Sequence, residues 1–164
     1  MSDARNDAAN QGDAEQAAPA LNCLTQYVKD LSFENPNAPQ SLAQTSGEPD
    51  MNVEFDVEVQ RMGENVFEVG FRLSVKAQSG ETVFFVVDLT YAGLFQLINI
   101  PEENWHPICL IECPRQLFPF ARQIVSTLTT QGGYPPVLLR PIDFSELYAR
   151  NLARAQEMQA QGNA

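Results

Sequence analysis

The sequence predicts an α+β fold, and two observations carry that prediction. Over residues 51–59 and again over 67–78 apolar and polar side chains alternate one by one, the period of strands covered on one face. Beyond residue 114 the apolar residues recur at helical spacing instead. Strands first and helices second is the order of an α+β chain. The 164 residues, 44% of them apolar, suit one domain with its own core.

The elements follow in order. Residues 1–20 carry almost no large apolar side chain, so they cannot offset the entropy of ordering and are expected as a disordered tail. The folded body is expected over 21–154. In Leu21–Phe33 the odd positions Leu21, Cys23, Tyr27, Leu31 and Phe33 are mostly apolar, which is strand-like. The run from Glu34 to Pro39 is rich in turn residues. Met51, Val53, Phe55, Val57 and Val59 then share one face of a strand, with Asn52, Glu54, Asp56 and Glu58 on the other. Met62–Asn65 supplies a turn. Phe67, Val69, Phe71, Leu73, Val75 and Ala77 continue the alternation, and Ser79-Gly80 closes it. With Thr82–Tyr91 these strands read as an antiparallel meander. That last strand carries Val83, Phe85, Val87, Leu89 and Tyr91 on one face, and Phe84 and Val86 on the other. Its second face needs a cover of its own. Gly93 is expected to break the strand, with Leu94–Ile100 as a short continuation.

Pro114 suits the first position of a helix and Gly132-Gly133 its stop. Pro119 should bend the first turns. Tyr134-Pro135-Pro136 is an extended linker. Asp143 with Glu146 fits a capping box, followed by a stripe of Phe144, Leu147, Tyr148 and Leu152. Residues 155–164 are expected as a flexible tail.

Composition narrows the function. There are 21 acidic and 10 basic residues, a net charge of −11. Nucleic acid and anionic membrane surfaces call for the opposite sign. A basic partner would be steered towards this chain. The start of the chain lacks the pattern of a signal peptide, no apolar run reaches membrane-spanning length, and the three cysteines form no disulfide framework. Together these predict a cytoplasmic protein. No phosphate loop, nucleophile elbow or HExxH pair is present. His106, Cys109 and Cys113 match no common zinc spacing, and the two cysteines read as core. Glu54, Asp56 and Glu58 read as a solvated strand face. No catalysis, metal or cofactor is expected. Apolar surface remains: the even face of the strand Thr82–Tyr91, the strand Met51–Phe55, and the stripe of the last helix.

Three segments carry a family resemblance. The run Lys29–Pro39 resembles the N-terminal signature of SecB, the bacterial protein-export chaperone. Leu117–Arg122, following Cys113-Pro114, resembles its first-helix motif, and Gly133–Tyr148 its C-terminal region. The likeness runs from about Leu24 to Leu152. It implies a four-stranded antiparallel sheet with helices on one side, and a homotetramer built as a dimer of dimers. It implies a chaperone that binds unfolded precursors without nucleotide and hands them to SecA, the export motor ATPase. SecA-facing positions fall on Asp30, Glu34, Val86 and Asp88. Subunit-interface positions fall on Val87, Leu89 and Tyr91, and client-groove positions on Met51, Val53, Phe55, Tyr148 and Leu152. Two other readings stay open: a SecB-like chaperone of a toxin–antitoxin pair, and a small-ligand binder.

Overall fold

The computed structural model describes residues 17–43 and 48–162. The tail expected before residue 17, and residues 163–164, lie outside the described residues. Four strands form one antiparallel sheet: β1 (Ala20–Glu34), β2 (Asp50–Arg61), β3 (Val66–Ser79) and β4 (Thr82–Ile98), in the order β1-β4-β3-β2. Two helices follow, α1 (Trp105–Gln131) and α2 (Phe144–Gly162), both on one face of the sheet.

The alternating residues pair as their period requires. Val53 lies opposite Val75 and Phe55 opposite Leu73, while Val69, Phe71, Leu73 and Val75 turn into the core. Phe71 is its centre. Its ring meets Phe118 of α1 edge-on at 5.9 Å and Phe144 of α2 at 5.8 Å. Burying one large aromatic between sheet and helices contributes on the order of 2–3 kcal/mol.

Four features depart from the sequence reading. In β4 the register with β3 slips between Ala77 and Gln78, because Phe84 is an extra, bulged residue. The bulge turns Phe84 out of the second face and stacks it on Tyr134, at 5.9 Å and 11°. Second, Gly93 does not break β4, which runs on to Ile98. A Cβ at Gly93 would lie 2.7 Å from the Phe95 ring and 3.0 Å from Leu117, so glycine admits the close approach of α1. Third, β1 slips at two places, after Cys23 and after Val28. Between the slips the phase reverses, and Tyr27 points to the open face, where it bonds Glu68 of β3. Fourth, α1 begins at Trp105, so Pro107 sits in its first turn, and Pro114, expected at the helix start, lies inside the helix with Pro119. Each internal proline costs a backbone hydrogen bond, but Cys109, Cys113, Leu117, Ala121 and Val125 bury one stripe of this helix against the sheet. Tertiary burial outweighs the local cost.

The Gly132-Gly133 stop stands, with Gly133 at φ +91° in the left-handed region. Helix α2 continues through residues 155–162, the segment assigned to a flexible tail, and none of these residues is buried.

Candidate interaction surfaces

The helical side of the sheet carries a groove, and the linker between the helices builds it. After the turn at Gly132-Gly133, residues 135–142 form the linker without helix or strand, and Asp143 then starts α2, its Oδ1 accepting the Glu146 N–H at 3.0 Å. Three ties hold the linker down. The Val137 N–H donates to Thr129 Oγ1 at 3.0 Å. Tyr134 stacks on Phe84 and tilts against Phe85 at 5.1 Å. The Tyr134 hydroxyl meets Ser41 Oγ at 2.7 Å, Asn35 Oδ1 at 2.8 Å and the Phe84 carbonyl at 3.0 Å. The linker therefore stands as a wall facing β2.

The first part of the groove holds about 740 Å³ and is lined by Met51, Val53, Phe84, Tyr134, Leu138 and their neighbours. A second part of about 400 Å³ continues past Phe55, Phe118, Ile142 and Arg150. Val53, Leu139 and Arg140 line both parts, so they form one trough. Its walls expose large apolar groups: Met51 is 46% accessible, Val53 38% and Leu138 65%. An apolar trough of this length beside an open strand edge suits an extended polypeptide better than a small enclosed ligand.

The open face of the sheet is polar. Glu34 lies opposite Val86, Ser32 opposite Asp88, and Asp30 opposite Thr90, so Asp30, Glu34, Val86 and Asp88 share one corner. Beside it a shallow depression of about 300 Å³ is lined by Asp30, Glu54, Asp56, Arg72 and Asp88, among others. Elsewhere on this face the Glu68 carboxylate accepts hydrogen bonds from Lys29 and Tyr27. The bond to Lys29, then that to Tyr27, holds Glu68 below the usual carboxylate range. The bond to the same carboxylate, aided by burial, pushes the Tyr27 phenol up to about 12.

The structure thus gathers Met51, Val53 and Phe55 in the groove, and the four acidic-corner residues on the opposite face. It does not bring Tyr148 and Leu152 to the groove. Tyr148 packs on His106, its hydroxyl 3.1 Å from Nδ1, and Leu152 stands exposed. Helix α2 presents Glu146 and Arg150 to the groove instead, because positions two apart on a helix point to opposite sides. Val87 and Leu89 are 0% and 3% accessible inside this chain's own core, which takes them out of reach of a second subunit. Tyr91 is half-buried and stacks on Phe120 at 6.0 Å. Sequence reasoning missed Tyr134, Leu138 and Arg140, and it set Phe84, a candidate for apolar surface, on the wrong face of β4. The apolar run after Tyr134-Pro135-Pro136 was the available signal, since an extended linker with large apolar side chains must lie against something.

His106, Cys109 and Cys113 form no site. Both cysteines are buried, His106 is exposed, and among the described residues no three metal-ligating side chains converge.

Comparison with known proteins supplies the family. The model of the SecB family, described as preprotein translocase subunit SecB, matches residues 14–155. The chain belongs to the SecB family. The protein-export protein SecB of Rhodopseudomonas palustris strain HaA2 is 52% identical over 141 residues, 86% of this chain and 89% of that protein. The SecB of Azorhizobium caulinodans is 47% identical over 94% of this chain and 98% of its own length. A solved SecB-like chaperone of Mycobacterium tuberculosis, in complex with a ChAD peptide from an antitoxin, has the same fold. Its TM-score is 0.62 at 20% identity, covering 74% of this chain and 90% of that one. SecB proteins are protein-export chaperones, and the four-stranded sheet with its C-terminal helices is the SecB fold. No described helix here is long and apolar enough to cross a membrane.

Proposed function

We propose that this chain is a cytoplasmic export chaperone that holds unfolded precursor proteins without nucleotide and delivers them to the SecA motor. The single observation that carries the reading is the continuous apolar trough between β2 and the linker, on a chain of the SecB family. Unfolded chains expose apolar side chains and unpaired backbone. Met51, Val53, Phe55, Phe84 and Leu138 meet the former, and the open edge of β2 meets the latter. Tyr148 and Leu152 would serve clients that extend past the trough. Several weak troughs on one assembly raise avidity through effective concentration.

The assembly is a homotetramer, a dimer of dimers. Its contacts fall to apolar side chains that this protomer leaves uncovered: Leu24, Val28 and Leu31 on the edge strand β1, and Phe120 on α1, next to Tyr91. SecA docks on the acidic corner of Asp30, Glu34, Val86 and Asp88. No reaction is assigned to any residue, and no cofactor is needed.

The test mixes the purified protein with a chemically unfolded secretory precursor and no nucleotide. Light scattering should stay low and a complex of defined mass should form. Unchecked aggregation with no complex would defeat the reading. For SecA, Asp30→Lys, Glu34→Lys and Asp88→Lys together should weaken SecA binding in calorimetry and spare client binding. Equal loss of both would show that the corner is misassigned.

A further inference from the structure

We propose that Tyr27 and Lys29 are positioning residues for the acidic corner: clamped together on the Glu68 carboxylate, they hold the bulge in β1 that turns Asp30 and Glu34 to the open face. This deepens the SecA-docking reading of that corner and rests on it.

Strand β1 lies at the edge of the sheet and pairs with β4. Its second slip falls between Val28, opposite Tyr91, and Asp30, opposite Thr90, so Lys29 is the extra residue. Past that slip Asp30, Ser32 and Glu34 lie opposite Thr90, Asp88 and Val86 on the open face. Were the register of Val28 and Tyr91 carried on without the extra residue, Asp30 would fall opposite Leu89 and Ser32 opposite Val87, both of them core residues. A slip of one residue moves every side chain of a strand to the other face. Asp30 and Glu34 would then leave the corner, and Leu31 and Phe33 would take their place. The corner exists because the bulge sits at Lys29.

One carboxylate straddles that bulge. Tyr27, before it, donates its hydroxyl to Glu68 Oε2, and Lys29, within it, donates from Nζ to Oε1. Glu68 belongs to β3, so both side chains cross β4 to reach it. The ladder leaves room for the crossing: Tyr27, Ala92 and Gly70 lie in one row, and neither Ala92 nor Gly70 raises a long side chain in the way. Ala92 is fully buried although no helix covers the open face, because side chains lie across it. The Glu68 side chain is 15% accessible, against 59% for Glu58 and 48% for Glu112 in their ion pairs, so water competes least with the clamp. Two donors on either side of one backbone irregularity, held by the two oxygens of one carboxylate, fix which residue of β1 is the extra one.

The experiment measures SecA and client affinities of the full chain side by side in calorimetry. In Tyr27→Phe/Lys29→Met the clamp is gone and the open face has lost a positive charge. Charge alone would let a basic docking surface bind this face as tightly as before or tighter. Loss of the corner predicts the opposite sign: SecA binding weaker by about three- to ten-fold, with client affinity within about two-fold of the parent. Lys29→Arg keeps a charged donor and should bind SecA as the parent does. In a chain already carrying Asp30→Asn and Glu34→Gln, the double substitution should add less than about two-fold, because it acts through those residues. Amide hydrogen exchange of the double variant should quicken over residues 28–34 of β1 and not in β2. SecA binding that is unchanged or tighter overturns the proposal. So does an effect fully additive with Asp30→Asn/Glu34→Gln, or an equal loss of client binding. If the Asp30→Lys/Glu34→Lys/Asp88→Lys chain binds SecA like the parent, the corner reading fails and the clamp proposal with it. A weakened triple variant beside an unaffected Tyr27→Phe/Lys29→Met chain sinks the clamp proposal alone.

Discussion

Replacing Tyr134 with phenylalanine removes one oxygen and keeps the ring stacked on Phe84. That oxygen is the knot of the linker. It lies within hydrogen-bond distance of Ser41 Oγ, Asn35 Oδ1 and the Phe84 carbonyl, at 2.7, 2.8 and 3.0 Å. Ser41 is 2% accessible, so water cannot easily replace the lost partner. The Asn35 Nδ2 bond to the Gly132 carbonyl, 2.9 Å, should survive. Leaving a buried polar group unpaired costs about 1–3 kcal/mol, a sizeable part of a stability of about 5–15 kcal/mol. Urea unfolding at matched protein concentration should show a lower midpoint with an unchanged slope. Ser41→Ala in the same background should cost less than it does alone, with a coupling above about 0.5 kcal/mol. A Tyr134→Phe protein within about 0.3 kcal/mol of the parent, or additive with Ser41→Ala, would refute the reasoning.

Other outcomes follow from the same geometry. Gly93→Ala should lose about 1–3 kcal/mol in the same assay, because the new methyl meets the Phe95 ring and Leu117 at 2.7 and 3.0 Å. Thr129→Val keeps the shape but leaves the Val137 N–H without its acceptor, so it should lose about 1–3 kcal/mol and weaken client affinity through the linker wall. Phenolate absorbance should show Tyr27 ionising near 12, not at its ordinary 10.0, and Glu68→Gln should bring it back down. The sign follows: Tyr27 is raised on folding, so its contribution to stability is whole below pH 10 and fades between 10 and 12. Glu68 is lowered, so its contribution holds above its ordinary 4.5 and fades as pH falls through the folded value. Ellman's reagent should reach Cys23 first in the native protein. Cys109 and Cys113 are buried, and the contact with Cys109, with burial, holds the Cys113 thiol well above its ordinary range.

Much of the sheet was legible because one covered face imposes period two, and β2 and β3 pair without a slip. The stop at Gly132-Gly133 and the cap at Asp143 were legible for local reasons of the same kind. The bulges of β1 and β4 were not. A bulge is one unpaired residue whose position depends on what the neighbouring strand and helix must bury, and no local signal marks it. Phe84 and Tyr27 changed faces for that reason. The start of α1 misled for the opposite reason: the local cost of Pro114 inside a helix is plain, while the burial that outweighs it lies in the sheet. The acidic corner was placed through family resemblance, and the strand register brings its residues together. Val87 and Leu89 were placed by the same route, but alternation alone puts them in the core with Phe85.

The groove account is tested most directly by position. A photo-crosslinking side chain is placed at Leu138 in one variant and at Asp88 in another, and each is irradiated with an unfolded secretory precursor in the absence of nucleotide. Covalent precursor adducts from position 138, with few or none from position 88, are the result the account predicts. Adducts from 88 and none from 138 would contradict it, because the precursor would then lie on the open face of the sheet and not in the trough beside β2.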